Sequence, residues 1–366
     1  MGKIYTALGL MSGTSMDGVD ASIIQSDGDS NYKAIFNKYF EYKKDLYKNL
    51  INLRDKINKS KDLKKYDKEL KSLEEEITLF HVKAVNNLIK TINIDIDLVG
   101  FHGQTIFHNA KEKISIQLGN GKLLSQLTKK TVVYNFRQKD LKDGGEGAPL
   151  TPVFHQMLEK KFNIKPVSFF NIGGILNRTT ITDDGKLSAT DEGPGMCLID
   201  KWIRTKSKKR YDANGDIAKS GKVDKLILDK YLNTLNDSNS NKKSYDISDF
   251  DISFVKNLSL EDGAKTLTLY TANILITFFL ANEKLKLKEK IILCGGGRKN
   301  KFLVDTIKSY NKNVKLIDDY EINGDFVESQ AFAYLAIRSY LKLPISFPGT
   351  TGCKDPCRGG VIVKNY

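Results

Sequence analysis

Gly9-Leu-Met-Ser-Gly-Thr-Ser-Met-Asp-Gly-Val-Asp20 is the stretch on which the reading of this chain turns. Ile4 to Leu10 before it and Val19 to Gln25 after it read as strands, so residues 11–18 form a hairpin turn of Gly, Ser, Thr and Asp. Consecutive small residues let backbone N–H groups converge on a polyanion, and the hydroxyls add donors. Asp17 would repel phosphate directly. It either holds Mg2+ through water, because Mg2+ takes oxygen ligands and keeps several waters, or it caps the turn.

Three more glycine turns follow strands. Val167 to Asn171 enters Gly173-Gly174 and continues as a paired strand, Ile175 to Ile181. A loop, Asp191-Glu-Gly-Pro-Gly195, precedes a helix from about Met196 to Thr205. Lys290 to Cys294 opens into Gly295-Gly-Gly297. Paired glycines at a strand end permit close approach of a ligand to the backbone. A glycine run at a helix start suits a polyanion.

Between the turns, strands and helices alternate, which implies an α/β architecture. Leu63, Tyr66, Leu70, Leu73, Ile77, Phe80, Ala84 and Leu88 recur at spacings of three and four within a charged helical region from Tyr42 to Leu88. They form the apolar stripe of a long helix laid on a sheet. Strands are expected at residues 98–101, 114–117, 131–135 and 314–316. Helices are expected at residues 122–127, 259–280, 302–310 and 327–341. A helix start is expected at Ala148-Pro149. Residues 235–244 read as a flexible polar loop, and the tail from Pro344 as turns and loop.

Several chemistries are excluded by pattern. There is no Walker A run, no G-x-G-x-x-G after a strand, no H-E-x-x-H, no paired C-x-x-C and no Gly-x-Ser-x-Gly elbow. Four Cys in 366 residues are not a disulfide framework and point to a reduced, cytoplasmic setting. The most apolar stretch, Ala272 to Ala281, is too short to span a bilayer, so no membrane partner is expected. The net charge of +14 invites nucleic acid. However, it is mostly Lys scattered among Asn, Asp and Glu, whereas Arg is the better reader of phosphate and base edges. A solvated Lys surface, with no nucleic-acid partner, is the expectation.

The motifs form an ordered set. They are Gly9–Asp20, His102-Gly-Gln-Thr105, Phe136-Arg137 with Asp140, Gly144–Leu150, Asn171–Asn177, Asp191–Gly195, Cys294–Gly297 and Glu328–Ala333. This set resembles the anhydro-N-acetylmuramic acid kinases over nearly the whole chain. The resemblance implies an α/β, actin/hexokinase-like (ribonuclease H-like) two-lobe fold with a nucleotide cleft between the lobes. It implies ATP and Mg2+ as cofactors and 1,6-anhydro-N-acetylmuramic acid as substrate. The anhydro ring is cleaved as O6 is phosphorylated, a step in reusing cell-wall sugar.

Carried over by position, Asp191 is the catalytic base. Ser12, Gly13, Thr14, Ser15, Met16, Asp17 and Gly18 hold phosphates, with Gly173 and Gly174. Gly295, Gly296 and Gly297 lie near the nucleoside. His102, Gln104, Arg137 and Glu328 face the sugar, Arg137 taking its lactyl carboxylate. Lobe one is expected at residues 1–133 with 343–366, and lobe two at 134–342. The sequence departs from the family pattern at Phe101, usually a small residue, at Glu146, usually Gln, and at Glu192 and Met196 around Gly-Pro-Gly. A homodimer is compatible with this reading. Another sugar kinase of this fold without ring cleavage, or a non-catalytic nucleotide-binding protein, is the alternative.

Overall fold

The computed structural model describes residues 2–238, 245, 247–281 and 289–364. The chain divides into two compact units, Met1–Asn163 with Phe326–Tyr366, and Ile164–Asp325.

The first unit begins with β1 (Tyr5–Ser12), β2 (Gly18–Ser26) and β3 (Tyr32–Glu41), an antiparallel meander. Then come α1 (Lys44–Lys56), α2 (Ser60–Lys65) and α3 (Asp67–Ile92). The expected helical region is thus three helices, and α3 carries the stripe from Leu70 to Leu88, with Leu63 in α2. The Asp62 carboxylate accepts the Asn58 and Lys59 amides (3.1 and 3.0 Å) and caps a new start there. There follow β4 (Leu98–Asn109), β5 (Ile114–Leu118), α4 (Gly121–Thr128), β6 (Thr131–Tyr134), α5 (Gln138–Lys142) and α6 (Pro152–Phe162). The helix expected at Ala148-Pro149 starts at Pro152, with Pro in its first turn, where no amide is needed.

The second unit holds β7 (Val167–Ile172), β8 (Ile175–Ile181), β9 (Leu187–Pro194), α7 (Cys197–Lys206), α8 (Asp216–Ser220) and α9 (Lys225–Ser238). It continues with α10 (Leu260–Ala281), β10 (Lys290–Cys294), α11 (Lys301–Tyr310) and β11 (Val314–Leu316). Of the expected polar loop, residues 235–238 close α9, and 239–244 lie outside the described residues. The chain returns to the first unit with α12 (Val327–Tyr340), α13 (Pro348–Thr351) and β12 (Val361–Val363). β12 pairs antiparallel with β6, a strand where a loop was expected.

The sheets share one topology. The first runs β12-β6-β4-β1-β2-β3, with β5 on β4; the second runs β11-β10-β7-β8-β9. In each, a three-stranded antiparallel meander is extended on its first strand by two parallel strands: β4 and β6 on β1, and β10 and β11 on β7. This repeated ribonuclease H-like order makes the fold α/β and actin/hexokinase-like. It also places every glycine turn of the sequence at a strand end.

Gly9 and Gly100 decide how α12 sits on the first sheet. A side chain at Gly9 would meet the Ser329 carbonyl and Ala333 amide, and one at Gly100 would meet the Phe332 carbonyl. With none, the helix backbone lies directly on β1 and β4, and α12 is buried along most of its length. α6 joins the same unit: Phe154 packs edge-on to Tyr32 and Tyr334, with ring centroids 5.4 and 5.8 Å apart. These contacts move the expected boundaries from 133 to 163 and from 342 to 325. Leu46, Leu50, Ile77, Val85 and Leu88 build a core with Leu8, Leu10, Val99 and Phe101. The second unit centres its own core on Phe170, Ile199, Trp202 and Leu275.

Candidate active site

In the first unit the turn after β1 is held on several sides. Met16 has left-handed backbone (φ 57°) and a buried side chain in the core, so the apolar anchor secures a conformation that costs a non-glycine residue. Thr14 and Ser15 are exposed at the tip. Gln104 lies in β4, and its Nε2 donates to the Gly13 carbonyl (2.9 Å). Its buried Oε1 has no hydrogen-bond partner among the described residues. Ser15 Oγ donates to Asp17 Oδ1 (2.6 Å). Ser12 is 1% exposed, and its hydroxyl lies beside the Tyr42 hydroxyl and His81 Nε2.

A second cluster surrounds Arg137. His102 Nδ1 lies 2.8 Å from the Gly103 carbonyl, which only accepts, so Nδ1 carries the proton and Nε2 is an acceptor. Arg137 donates to that Nε2 (2.9 Å) and to the Gly147 carbonyl (2.8 Å). Burial, then the neighbouring Arg137 cation, holds His102 well below the usual imidazole range, which keeps it neutral. Both its nitrogens are therefore used inside the protein, and it orients Arg137.

Burial lowers Arg137 to about 10, against the pull of Glu328 and Asp140. Burial raises the Glu328 carboxyl, while Arg137 acts in the opposite direction. Asp140, 1% exposed, accepts from the Gly147 amide (2.7 Å) and from the Ser346 and Thr351 hydroxyls (2.5 and 2.7 Å). One carboxylate thus fastens the Gly144–Gly147 loop, and with it a carbonyl that holds Arg137.

In the second unit, the turn between β7 and β8 and the end of β9 are joined. The Gly195 and Met196 amides donate to the Gly174 and Gly173 carbonyls (3.0 and 2.8 Å), and Thr271 of α10 donates to the Gly195 carbonyl (2.8 Å). Asp191 lies in the strand rather than in a loop, opposite Asn177, and its Oδ2 accepts the Tyr245 amide (2.9 Å). Glu192 is the extra residue of a β-bulge, since Asn177 pairs with Asp191 and Leu176 with Gly193. Its carboxylate takes Arg178 Nε (2.7 Å) and Thr190 Oγ1 (2.7 Å), so it is committed to a salt bridge.

Gly295 has φ 76°, and a Cβ there would lie 2.5 Å from Asn171 Oδ1 and 2.8 Å from the Ile172 carbonyl, so glycine alone fits. A Cβ at Gly296 would meet open space. Arg298, beyond the triplet, is clamped by Asp318 (2.7 Å), Asp325 (2.9 Å) and the Gly295 carbonyl (3.1 Å).

The family model for anhydro-N-acetylmuramic acid kinase matches residues 5–365. This chain belongs to the anhydro-N-acetylmuramic acid kinase family. It is 55% identical over 375 residues to the Pelagibacter ubique (strain HTCC1062) protein of that name, and the match covers 100% of both chains. The Agrobacterium fabrum relative of the same name is 36% identical, again over 100% of both. A solved structure, the activator of 2-hydroxyisocaproyl-CoA dehydratase from Clostridium difficile with bound ADPNP, superposes with a TM-score of 0.42 and 9% identity. It covers 92% of this chain and 96% of that one.

The chain is therefore an enzyme of this kinase family, and a kinase uses ATP. Its departures from the family pattern have structural partners. Phe101 is buried against His81, with ring centroids 4.8 Å apart. The Glu146 amide donates to the Thr351 carbonyl (2.8 Å), and Glu192 holds Arg178. Among the described residues, no group of three His, Cys, Asp or Glu could hold a metal ion, and no helix is long and apolar enough to cross a membrane. Two residues outside the sequence motifs, Tyr42 and His81, touch the turn through Ser12. The sequence signal for His81 was slight: a lone histidine four residues after Ile77, on the stripe that packs against the sheet.

Proposed function

We propose that this kinase hydrolytically opens the 1,6-anhydro ring of 1,6-anhydro-N-acetylmuramic acid and phosphorylates O6, giving N-acetylmuramic acid 6-phosphate for cell-wall sugar recycling in the cytoplasm. The observation that carries this reading is the division of labour in β9. Glu192 is tied to Arg178, and Asp191, in register opposite Asn177 with its Oδ2 accepting the Tyr245 amide, is the carboxylate assigned to general-base work.

Asp191 takes a proton from water as its oxygen bonds to the anomeric carbon. The bond from that carbon to O6 breaks, O6 attacks the γ-phosphorus, and ADP leaves. The backbone of Gly13 to Gly18, with Gly173 and Gly174, holds the phosphates. Gly295 to Gly297 support the nucleoside, and the open space at Gly296 suits close approach. Arg137 stays cationic at neutral pH and offers a fork for the lactyl carboxylate. Glu328 and Gln104 complete the sugar's polar contacts, and His102 holds Arg137 in orientation.

Asp17 suits Mg2+ as a single hard oxygen donor, already oriented by Ser15. Mg2+, when bound, neutralises triphosphate charge.

The test is turnover of Mg-ATP with the anhydro-sugar in heavy-oxygen water. Ring hydrolysis puts one solvent oxygen on the anomeric carbon, and the product gains one water and one phosphoryl group by mass. Product without solvent oxygen would establish phosphorylation without ring hydrolysis. Asp191→Asn should retain ATP binding and lose about 10²–10⁴-fold in kcat; near-normal turnover would remove the general-base role.

A further inference from the structure

Ser12 opens the turn after β1, and its hydroxyl points away from that turn. Its Oγ lies 2.9 Å from the Tyr42 hydroxyl and 3.3 Å from His81 Nε2. All three side chains are buried: Ser12 at 1% exposure, Tyr42 at 4% and His81 at 0%. His81 Nδ1 lies 2.8 Å from the Ile77 carbonyl, one turn back in α3. A carbonyl cannot donate, so Nδ1 carries the proton and Nε2 is a lone-pair acceptor. The Ser12 proton therefore goes to His81, and Tyr42 donates to the Ser12 oxygen. This directional chain runs from Tyr42 through Ser12 and His81 to the α3 backbone.

The ring positions are fixed too. Phe101 packs on His81, and Phe80 packs on Tyr42, each with centroids 4.8 Å apart. The backbone around Tyr42 belongs to the same arrangement, because its amide donates to the Asp17 carbonyl at the far end of the turn (2.8 Å). Tyr42 thus holds both ends of the turn, and His81 fixes the first end from the helix.

We infer that His81 and Tyr42 are positioning residues that act through Ser12 to set the backbone donors of the turn for the nucleotide's phosphates. This rests on the reading of the turn as the phosphate site. Neither residue touches ligand. Their effect falls on nucleotide binding more than on the sugar, because the chain of bonds runs from Tyr42 through Ser12 to His81 and ends on the α3 backbone.

The experiment measures the Kd for Mg-ATP by calorimetry, KM for both substrates and Tm, in wild type and in His81→Leu, Ser12→Ala, Tyr42→Phe, His81→Gln and the His81→Leu/Ser12→Ala double variant. His81→Leu and Ser12→Ala should each raise the Kd for Mg-ATP about five- to tenfold, the weight of one buried hydrogen bond, with sugar KM within twofold of wild type. The double variant should match the worse single variant, because both act through one bond. His81→Gln keeps an acceptor and should recover to within about threefold.

An unchanged Kd in Ser12→Ala and His81→Leu, equal losses for both substrates, or multiplying effects in the double variant would each overturn the proposal. If His81→Leu does not fold, Tyr42→Phe and Ser12→Ala decide it by the same split. A wild-type enzyme that binds Mg-ATP but leaves the sugar untouched would overturn the proposed reaction while the Kd comparison still tests the positioning.

Discussion

Arg137 is lowered by burial to about 10 and is still a cation at neutral pH. Its hydrogen bonds go to a neutral imidazole and a carbonyl, neither of which cancels its charge. A guanidinium held this way is ready for a ligand anion. Arg137→Ala should raise the sugar KM about 10–100-fold, the range of a charge-assisted bond, and change ATP KM less than threefold. Steady-state kinetics checks it, and an unchanged sugar KM removes Arg137 from carboxylate binding.

Asp200 poses a different problem. Burial raises it to about 6 from an ordinary 3.8, with Arg204 opposing and Asp212 adding to the rise. Its Oδ1 has no hydrogen-bond partner among the described residues. Folding favours the protonated acid, so its contribution is full below pH 3.8 and is lost as pH rises through 6. Asp200→Asn should leave stability at pH 4 nearly unchanged and raise it at pH 7.5 by at most about 3 kcal/mol in urea unfolding. A loss at pH 7.5 would mean that the attraction to Arg204 outweighs burial. The sequence offered no sign of this: Asp200 reads as a favourable first-turn acid until the packing around α7 is known.

At the scale of elements, α12 depends on two glycines that sit at matched register in neighbouring strands, Gly9 opposite Gly100. Gly100→Val forces a branched side chain against the Phe332 backbone. Overpacking of this kind costs about 1–3 kcal/mol, so Tm should fall by several degrees. A Tm within one degree of wild type would mean that α12 shifts without loss.

Elements of this kind were largely legible. The β1–β2 hairpin, the turn at residues 11–18, β10, β11 and α12 follow from local pattern, because strand alternation, helical stripes and glycine punctuation are short-range signals, whereas the third strands of the two meanders, β3 and β9, were not read. What escaped depends on partners far away in sequence. β12 is a strand only because β6 offers an edge, and its three residues carry no pattern of their own. His102 and Gln104 lie beyond the strand expected at residues 98–101, yet β1 and β5 draw them into β4. Residues 134–163 and 326–342 were assigned to the wrong unit, because the packing of α6 and α12 on the first sheet is a tertiary fact.

For the molecule as a whole, the charge of +14 is the largest unassigned property, and only eight of the 58 basic residues are arginine. Arg137, Arg178, Arg298 and Arg338 are engaged with His102, Glu192, the Asp318–Asp325 pair, and the Gly28 and Pro344 carbonyls, respectively. The forks of Arg178, Arg298 and Arg338 are committed to holding the fold and do not read phosphate or base edges, and Arg137 is the one assigned above to the sugar carboxylate. The excess is therefore lysine, which acts as a diffuse point-charge field rather than as a set of fixed contacts. Such a field steers a small anion and is screened beyond about 8 Å at physiological salt.

A nucleic-acid partner would behave otherwise, because each neutralised phosphate releases counterions and affinity falls steeply with salt. Raising salt from 50 to 200 mM should therefore change ATP KM by only a few-fold. Duplex DNA should show no retention at 150 mM in a filter or anisotropy assay. Submicromolar DNA binding at that salt, with the loss of about 10³-fold or more over the same range that several phosphate contacts produce, would assign the lysine surface to nucleic acid after all.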